Sequence, residues 1–105
     1  MKRGEVWLCA LDPTVGSEIR KTRPCLIVSP DVLNGRLQTI IVAPMTSGGR
    51  PAPFRIASTF NGVAGLILPD QTRVLDRRRA HKRLGVIGHS DLAKVLLVLR
   101  QLFED

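Results

Sequence analysis

Residues 24–47, PCLIVSPDVLNGRLQTIIVAPMTS, decide how the rest of the chain is read. "PCLIVS" is apolar and partly β-branched. It reads as a strand with Pro24 at its first position, where a missing N–H need not break a ladder. "PDVLNG" is one short helical turn ended by Gly35. "LQTIIVAPM" returns to strand, rich in β-branched residues.

The flanking segments continue this pattern of short strands. "GEVWLCAL" (4–11) has bulky residues on both faces, as a strand covered on both sides would. "DPTVGSEIRKT" (12–22) is a loop, with a turn starting at Asp12-Pro13 and a relaxed backbone at Gly16. Beyond residue 45, "TSGGRPAP" is a second loop and "FRIAS" a fourth strand. Asn61-Gly62 is a hairpin signal, because its turn type needs positive φ at both residues. "AGLILPDQTRVLD" is expected to continue in strand, bent at Pro69, and "KRLGVIG" to end the sheet.

The last segment, "HSDLAKVLLVLRQLFED", is a helix. Ser90 reads as its N-cap, and Asp91 lies in the first turn, where the helix dipole favours an acid. Leu92, Val95, Leu96, Leu99 and Phe103 form a stripe at helical spacing, and Leu97 and Val98 widen it. The sum is a mostly β (α+β) chain, a small barrel-like domain over residues 1–105 closed by one C-terminal helix.

A chain of 105 residues with 44% hydrophobic content fits one folded domain and is too apolar for disorder. No apolar run approaches a membrane span, and "MKRGEVWLCALDP" is too short and polar for a signal peptide, so a cytoplasmic protein without membrane contact is expected. Cys9 and Cys25 sit in apolar strands without a C-x-x-C pattern, and read as buried free thiols. Neither a metal site nor a cofactor is expected, since the usual ligand spacing is missing.

The formal net charge is +7, which favours anionic partners. Its densest part is Arg73 to Arg83, "RVLDRRRAHKR", with six basic residues in eleven. Phosphate loops, G-x-S-x-G elbows and H-E-x-x-H motifs are absent. Polar residues instead gather at strand ends: Ser17, Glu18 and Arg23; Thr46 and Ser47; then Asp70, Gln71, Arg73 and Asp76. Arginine's planar fork suits phosphate, so a polynucleotide backbone is the natural ligand for this charge.

The ordered set "RGEVWLCALDPTVGSEIRKTRPCLIVS", "IIVAPMTS", "DQTRVLDRRR" and "KRLG", followed by a terminal helix, resembles the MazF/PemK family of type II toxin–antitoxin toxins. The resemblance implies an SH3-like barrel of the CcdB/PemK type with a C-terminal helix, assembled as a homodimer. It implies a metal-independent, sequence-specific endoribonuclease that cuts single-stranded RNA by 2′-hydroxyl attack and arrests growth. It also implies an acidic cognate antitoxin lying across the dimer and the RNA groove. On this likeness the T-R-P arginine is Arg23 and the threonine after the third strand is Thr46, the two expected catalytic residues. Ser17 falls where members carry histidine or serine, and Gln71 and Arg73 fall on the D-Q-x-R segment that lines the RNA path. Glu18, Arg20, Lys21, Ser47, Asp76 and Arg77 complete the expected RNA-binding set, with residues 16–22 as a cover over the groove.

Attack by a ribose 2′-hydroxyl needs a proton acceptor, a proton donor to the leaving oxygen, and donors that stabilise negative charge on phosphorus. Arg23 suits the last task, because arginine does not readily deprotonate. Thr46 supplies one further donor. The base stays open between the carboxylates Glu18 and Asp76, with a His81–His89 acid–base pair as another assignment. Trp7 reads as core, and with three phenylalanines and no tyrosine, base stacking is a small part of RNA affinity. Two other functions fit the same charge and fold: a non-enzymatic CcdB-like toxin that binds DNA gyrase, and a catalytically silent RNA-binding domain.

Overall fold

In the computed structural model, residues 1–12, 16, 18 and 21–105 are described. Ser17 and Arg20 therefore lie outside the described residues, as does Ile19, so three of the seven residues of the expected cover over 16–22 fall there. The elements run β1 (Glu5–Ala10), β2 (Thr22–Ile27), α1 (Asp31–Asn34), β3 (Thr39–Thr46), β4 (Ile56–Phe60), β5 (Val63–Ile67), β6 (Arg73–Asp76), β7 (Ala80–Val86) and α2 (His89–Leu102). Short 3-10 turns at Pro69–Gln71 and Arg77–Arg79 bracket β6.

All strand pairs are antiparallel, in the order β4-β5-β3-β2-β1-β7, with β6 pairing β3 beside β5. Both faces of the curled sheet are buried. One holds Val6, Leu26, Val28, Ala43, Met45, Ile56 and Ile67, and α2 lies over it through Val95, Leu92, Leu96, Val98 and Leu99. The other holds Cys9, Leu11, Cys25, Ile27, Ile40, Val42 and Leu75. Two-sided burial explains why β1 shows no clean alternation: Val6 faces one core and Cys9 the other, each fully buried.

Several expectations need correction. Pro24 stands third in β2, not first. It is tolerated because β3 joins β2 only from Cys25, so at Pro24 the strand has β1 alone as neighbour. The segment after Gly65 is not one bent strand; the 3-10 turn at Pro69 separates β5 from β6, and both then return to β3. Ser90 does not cap α2. The cap is Gly88, and Asp91 in the first turn instead accepts the Ser58 hydroxyl at 2.6 Å, tying the helix start to β4. Phe103 is 85% exposed and leaves the core stripe, whereas Val98 joins it. Trp7 is half-buried: it leans on the second core and donates its indole N–H to Glu5 Oε1 at 2.9 Å.

Cys9 and Cys25 are buried free thiols, as their apolar surroundings predict. Hydrogen bonding between the two and burial push the Cys25 thiol far above its ordinary range, so it is held neutral.

Candidate active site

The ladder between β2 and β3 ends at Cys25 and Pro44. Carried on by two residues, its register would set Arg23 across from Thr46, and there a cavity of 180 Å³ opens. Arg23, Pro24, Met45, Thr46 and Ser47 form one side, and Ser58, Phe60, Val63, Gly65 and Leu66 of the β4–β5 hairpin form the other. The two residues expected at the reaction centre thus come from neighbouring strand ends. Arg23 pairs with Cys9 of β1 on its far side, so its backbone is held by the sheet.

Thr46 is half-buried, and its Oγ1 accepts the Gly48 N–H at 3.1 Å. With that lone pair engaged, the Thr46 hydroxyl proton remains to be donated outward. The hairpin approaches Thr46 closely only because residue 65 is glycine. A Cβ built on Gly65 would stand 2.2 Å from the Thr46 carbonyl oxygen and 3.2 Å from Ser47 Cα. At the hairpin tip, Asn61 (φ 49°) and Gly62 (φ 79°) make the turn that the sequence predicts. Asn61 Nδ2 then donates to Leu84 O of β7 at 3.3 Å, and the Phe60 ring lies against Gly85, where an added Cβ would meet it at 3.2 Å.

A second hollow, of 200 Å³, is lined by Glu18, Asp70, Gln71, Thr72 and Arg73. It gathers three of the expected RNA-path residues. Arg73 also braces the fold: its Nη1 donates to Leu11 O at 3.1 Å. Arg55 grips Asp70 through Nε–Oδ1 and Nη2–Oδ2, at 3.2 and 2.9 Å. Lys21 (φ 68°) closes the base of the 12–22 loop, its N–H bonded to Asp12 Oδ1 at 3.1 Å and its carbonyl to Leu11 N at 2.9 Å.

Asp76 and Arg77 are placed elsewhere. Asp76 pairs with Thr39, seven residues of β3 away from Thr46, or about 24 Å along the strand. Its carboxylate accepts Arg78 N and Nε at 2.9 and 3.0 Å, and those bonds hold its pKa below the usual carboxylate range. Arg77 donates to the carbonyls of Asn34, the last residue of α1, and of Leu37 beyond it. Of the two carboxylates left open as the base, only Glu18 lies in a hollow shared with Gln71 and Arg73. Among the described residues, no group of three His, Cys, Asp or Glu side chains is arranged to hold a metal ion. No described helix is long and apolar enough to cross a membrane.

The model of the PemK-like, MazF-like toxins of type II toxin–antitoxin systems matches residues 2–103. The chain belongs to this toxin family. It is 40% identical over 102 residues to Endoribonuclease PemK of Escherichia coli, covering 91% of this chain and 77% of that protein. Endoribonuclease MazF of Staphylococcus epidermidis is 32% identical over 101 residues, covering 90% of this chain and 84% of its own. MazF from Deinococcus radiodurans superposes with a TM-score of 0.87 at 31% identity, over 97% of this chain and 94% of that one. A MazE–MazF complex from the same organism gives 0.79 at 28% identity, over 97% and 93%. These likenesses bear out the expected small β barrel with one C-terminal helix.

In this PemK/MazF-family chain, sequence reasoning missed the hairpin side of the cavity. Ser58, Phe60 and Gly65 carry no motif; they reach Arg23 and Thr46 only because Asn61-Gly62 folds β5 back along β4. The one available signal was that turn, which fixes the pairing but not what it packs against.

Proposed function

We propose that this chain, over residues 1–105, is the toxin of a type II toxin–antitoxin pair and an endoribonuclease that cuts single-stranded RNA, messenger RNA included, at specific sequences. The observation that carries the catalytic assignment is the placing of Arg23 and Thr46 on the rim of one cavity. Arg23 is the phosphate-stabilising residue, its backbone held in β2 beside Cys9 and the residue itself lining the cavity, where its guanidinium meets the charge that accumulates on phosphorus. Thr46 donates its free proton to a phosphoryl oxygen. The 2′-oxygen attacks phosphorus, the P–O5′ bond breaks, and the products are a 2′,3′-cyclic phosphate and a 5′-hydroxyl. Of the two carboxylates open as the base, Glu18 lines the hollow of Gln71 and Arg73, whereas Asp76 is bound to Arg78. Ser47, which lines the cavity, and Gln71 and Arg73, which line the hollow, contribute to the RNA path, and Lys21 joins them on the family likeness alone.

Purified protein incubated with mixed transcripts in EDTA should give discrete fragments with 5′-hydroxyl ends. Intact RNA across many diverse transcripts, or cutting only when a divalent ion is restored, defeats the metal-independent mechanism. Inhibition of gyrase supercoiling without RNA cleavage would replace it with the CcdB-like function.

The toxin acts as a cytoplasmic homodimer, neutralised by an acidic antitoxin. The dimer is supported by the apolar surface that α2 leaves uncovered: Leu97 and Leu102 are 48% and 47% exposed, and Phe103 is 85% exposed. Sedimentation at micromolar concentration should give twice the chain mass of 11.6 kDa, and Phe103→Asp should shift it toward the monomer. A wild-type monomer at that concentration overturns the dimer.

A further inference from the structure

We propose that Lys82 is a contact for the RNA phosphate backbone just outside the Arg23–Thr46 cavity. This rests on the RNA-cleaving function above and adds a binding residue to it. The basic run from Arg73 to Arg83 looks like a uniform cationic surface, but each of its arginines holds a contact within the fold, Arg73 through one donor while it also lines the hollow with Gln71. Arg73 donates to Leu11 O, Arg77 to Asn34 O, and Arg79 to Asp12 O at 2.6 Å. Arg78 makes two bonds to the Asp76 carboxylate, and Arg83 Nε lies 3.2 Å from Glu5 Oε2. These contacts brace backbone carbonyls or cancel charge locally. Lys82 is exposed, and its side chain makes no hydrogen bond or ion pair among the described residues.

Two independent placements put Lys82 beside the cavity. Across the sheet, Leu8 of β1 pairs with Pro24 on one side and with Lys82 on the other. Residues directly opposite in antiparallel strands share a face. Lys82 therefore stands on the face of Pro24, a cavity wall, two strand spacings or about 10 Å away. Along β7, Lys82 lies two residues, about 7 Å, from Leu84, whose carbonyl holds the tip of the β4–β5 hairpin through Asn61. That hairpin supplies the opposite wall. A flexible ammonium at that point reaches a phosphate on the side of the cavity walled by Pro24 and the β4–β5 hairpin, and as a point charge it reads no base.

The test measures binding of a single-stranded RNA oligonucleotide that carries a mapped cleavage site with a 2′-deoxy nucleotide at the cut position. The affinity is followed over a series of salt concentrations. One lost phosphate contact on a single strand lowers the log K–log salt slope by about 0.7. Lys82→Ala should show that loss, with several-fold weaker binding at low salt that converges on wild type at high salt. Lys82→Arg should restore the slope, and Arg78→Ala should leave it unchanged. On cleavable RNA, Lys82→Ala should raise KM and leave kcat in place. A wild-type slope in Lys82→Ala overturns this assignment alone. Wild-type protein that neither binds nor cuts single-stranded RNA overturns the assignment and the proposed function together.

Discussion

Arg23→Ala should reduce single-turnover RNA cleavage by at least about 10²-fold, the range seen when one fixed donor to a developing oxyanion is removed. The strand around Arg23 is held by backbone pairing and by its buried neighbours. Arg23 is half-buried at the end of β2, its strand position is held by pairing with Cys9, and Cys25 two residues on is already in the core. Truncating the side chain therefore leaves the sheet intact, and the thermal midpoint should stay within a few degrees of wild type. Arg23→Lys is the sharper comparison. It keeps the charge but loses the planar fork, so RNA binding should hold while kcat remains well below wild type. Full cleavage by Arg23→Ala would remove Arg23 from the reaction. Full cleavage by Arg23→Lys would show that charge alone suffices.

What the sequence disclosed about this site follows from where the physical signals are local. Asn61-Gly62 demands positive φ twice, and the hairpin is there. The strand character of residues 24–28 and 39–46 is carried by β-branched and apolar runs, and past the end of their ladder Arg23 and Thr46 line one cavity. The helix was legible from its spacing, but its start was not, because Asp91 bonds Ser58 in a distant strand while Gly88 serves as the cap. Phe103 has the right spacing for the core but lies one residue past the end of α2 and is left exposed. The basic run showed charge but not its use. Nothing local says that Arg79 holds the Asp12 carbonyl, 67 residues earlier in the chain, while Lys82 is left for a partner. Asp76 looked like a neighbour of Gln71 and Arg73, yet β6 carries it toward the far end of β3.

Gly65→Ala should lower kcat by about 10²-fold with much smaller loss of RNA affinity, since misplacing a reacting group by about 1 Å is enough for such an effect. The added methyl has nowhere to go. Its nearest atoms are the Thr46 carbonyl oxygen at 2.2 Å and carbon at 3.0 Å and Ser47 Cα at 3.2 Å, all backbone. Relief requires the β4–β5 hairpin or the Thr46–Ser47 peptide to move, and the hairpin is pinned at its tip by Asn61 and at its start by the Ser58–Asp91 bond. The peptide that carries the Thr46 hydroxyl is then the part that gives way. Overpacking of this kind costs stability too, about 1–3 kcal/mol, so kcat is compared at a temperature well below the lowered midpoint. Gly48→Ala is the matched control, because a Cβ there meets nothing within 4 Å and the N–H donated to Thr46 is retained. Binding of the uncleavable 2′-deoxy RNA separates the two ways of losing activity. Equal losses in affinity and kcat for Gly65→Ala would mean general disruption of the cavity. A fall confined to kcat, absent in Gly48→Ala, places the effect at Thr46, and wild-type turnover in Gly65→Ala would show that Thr46 tolerates the displacement.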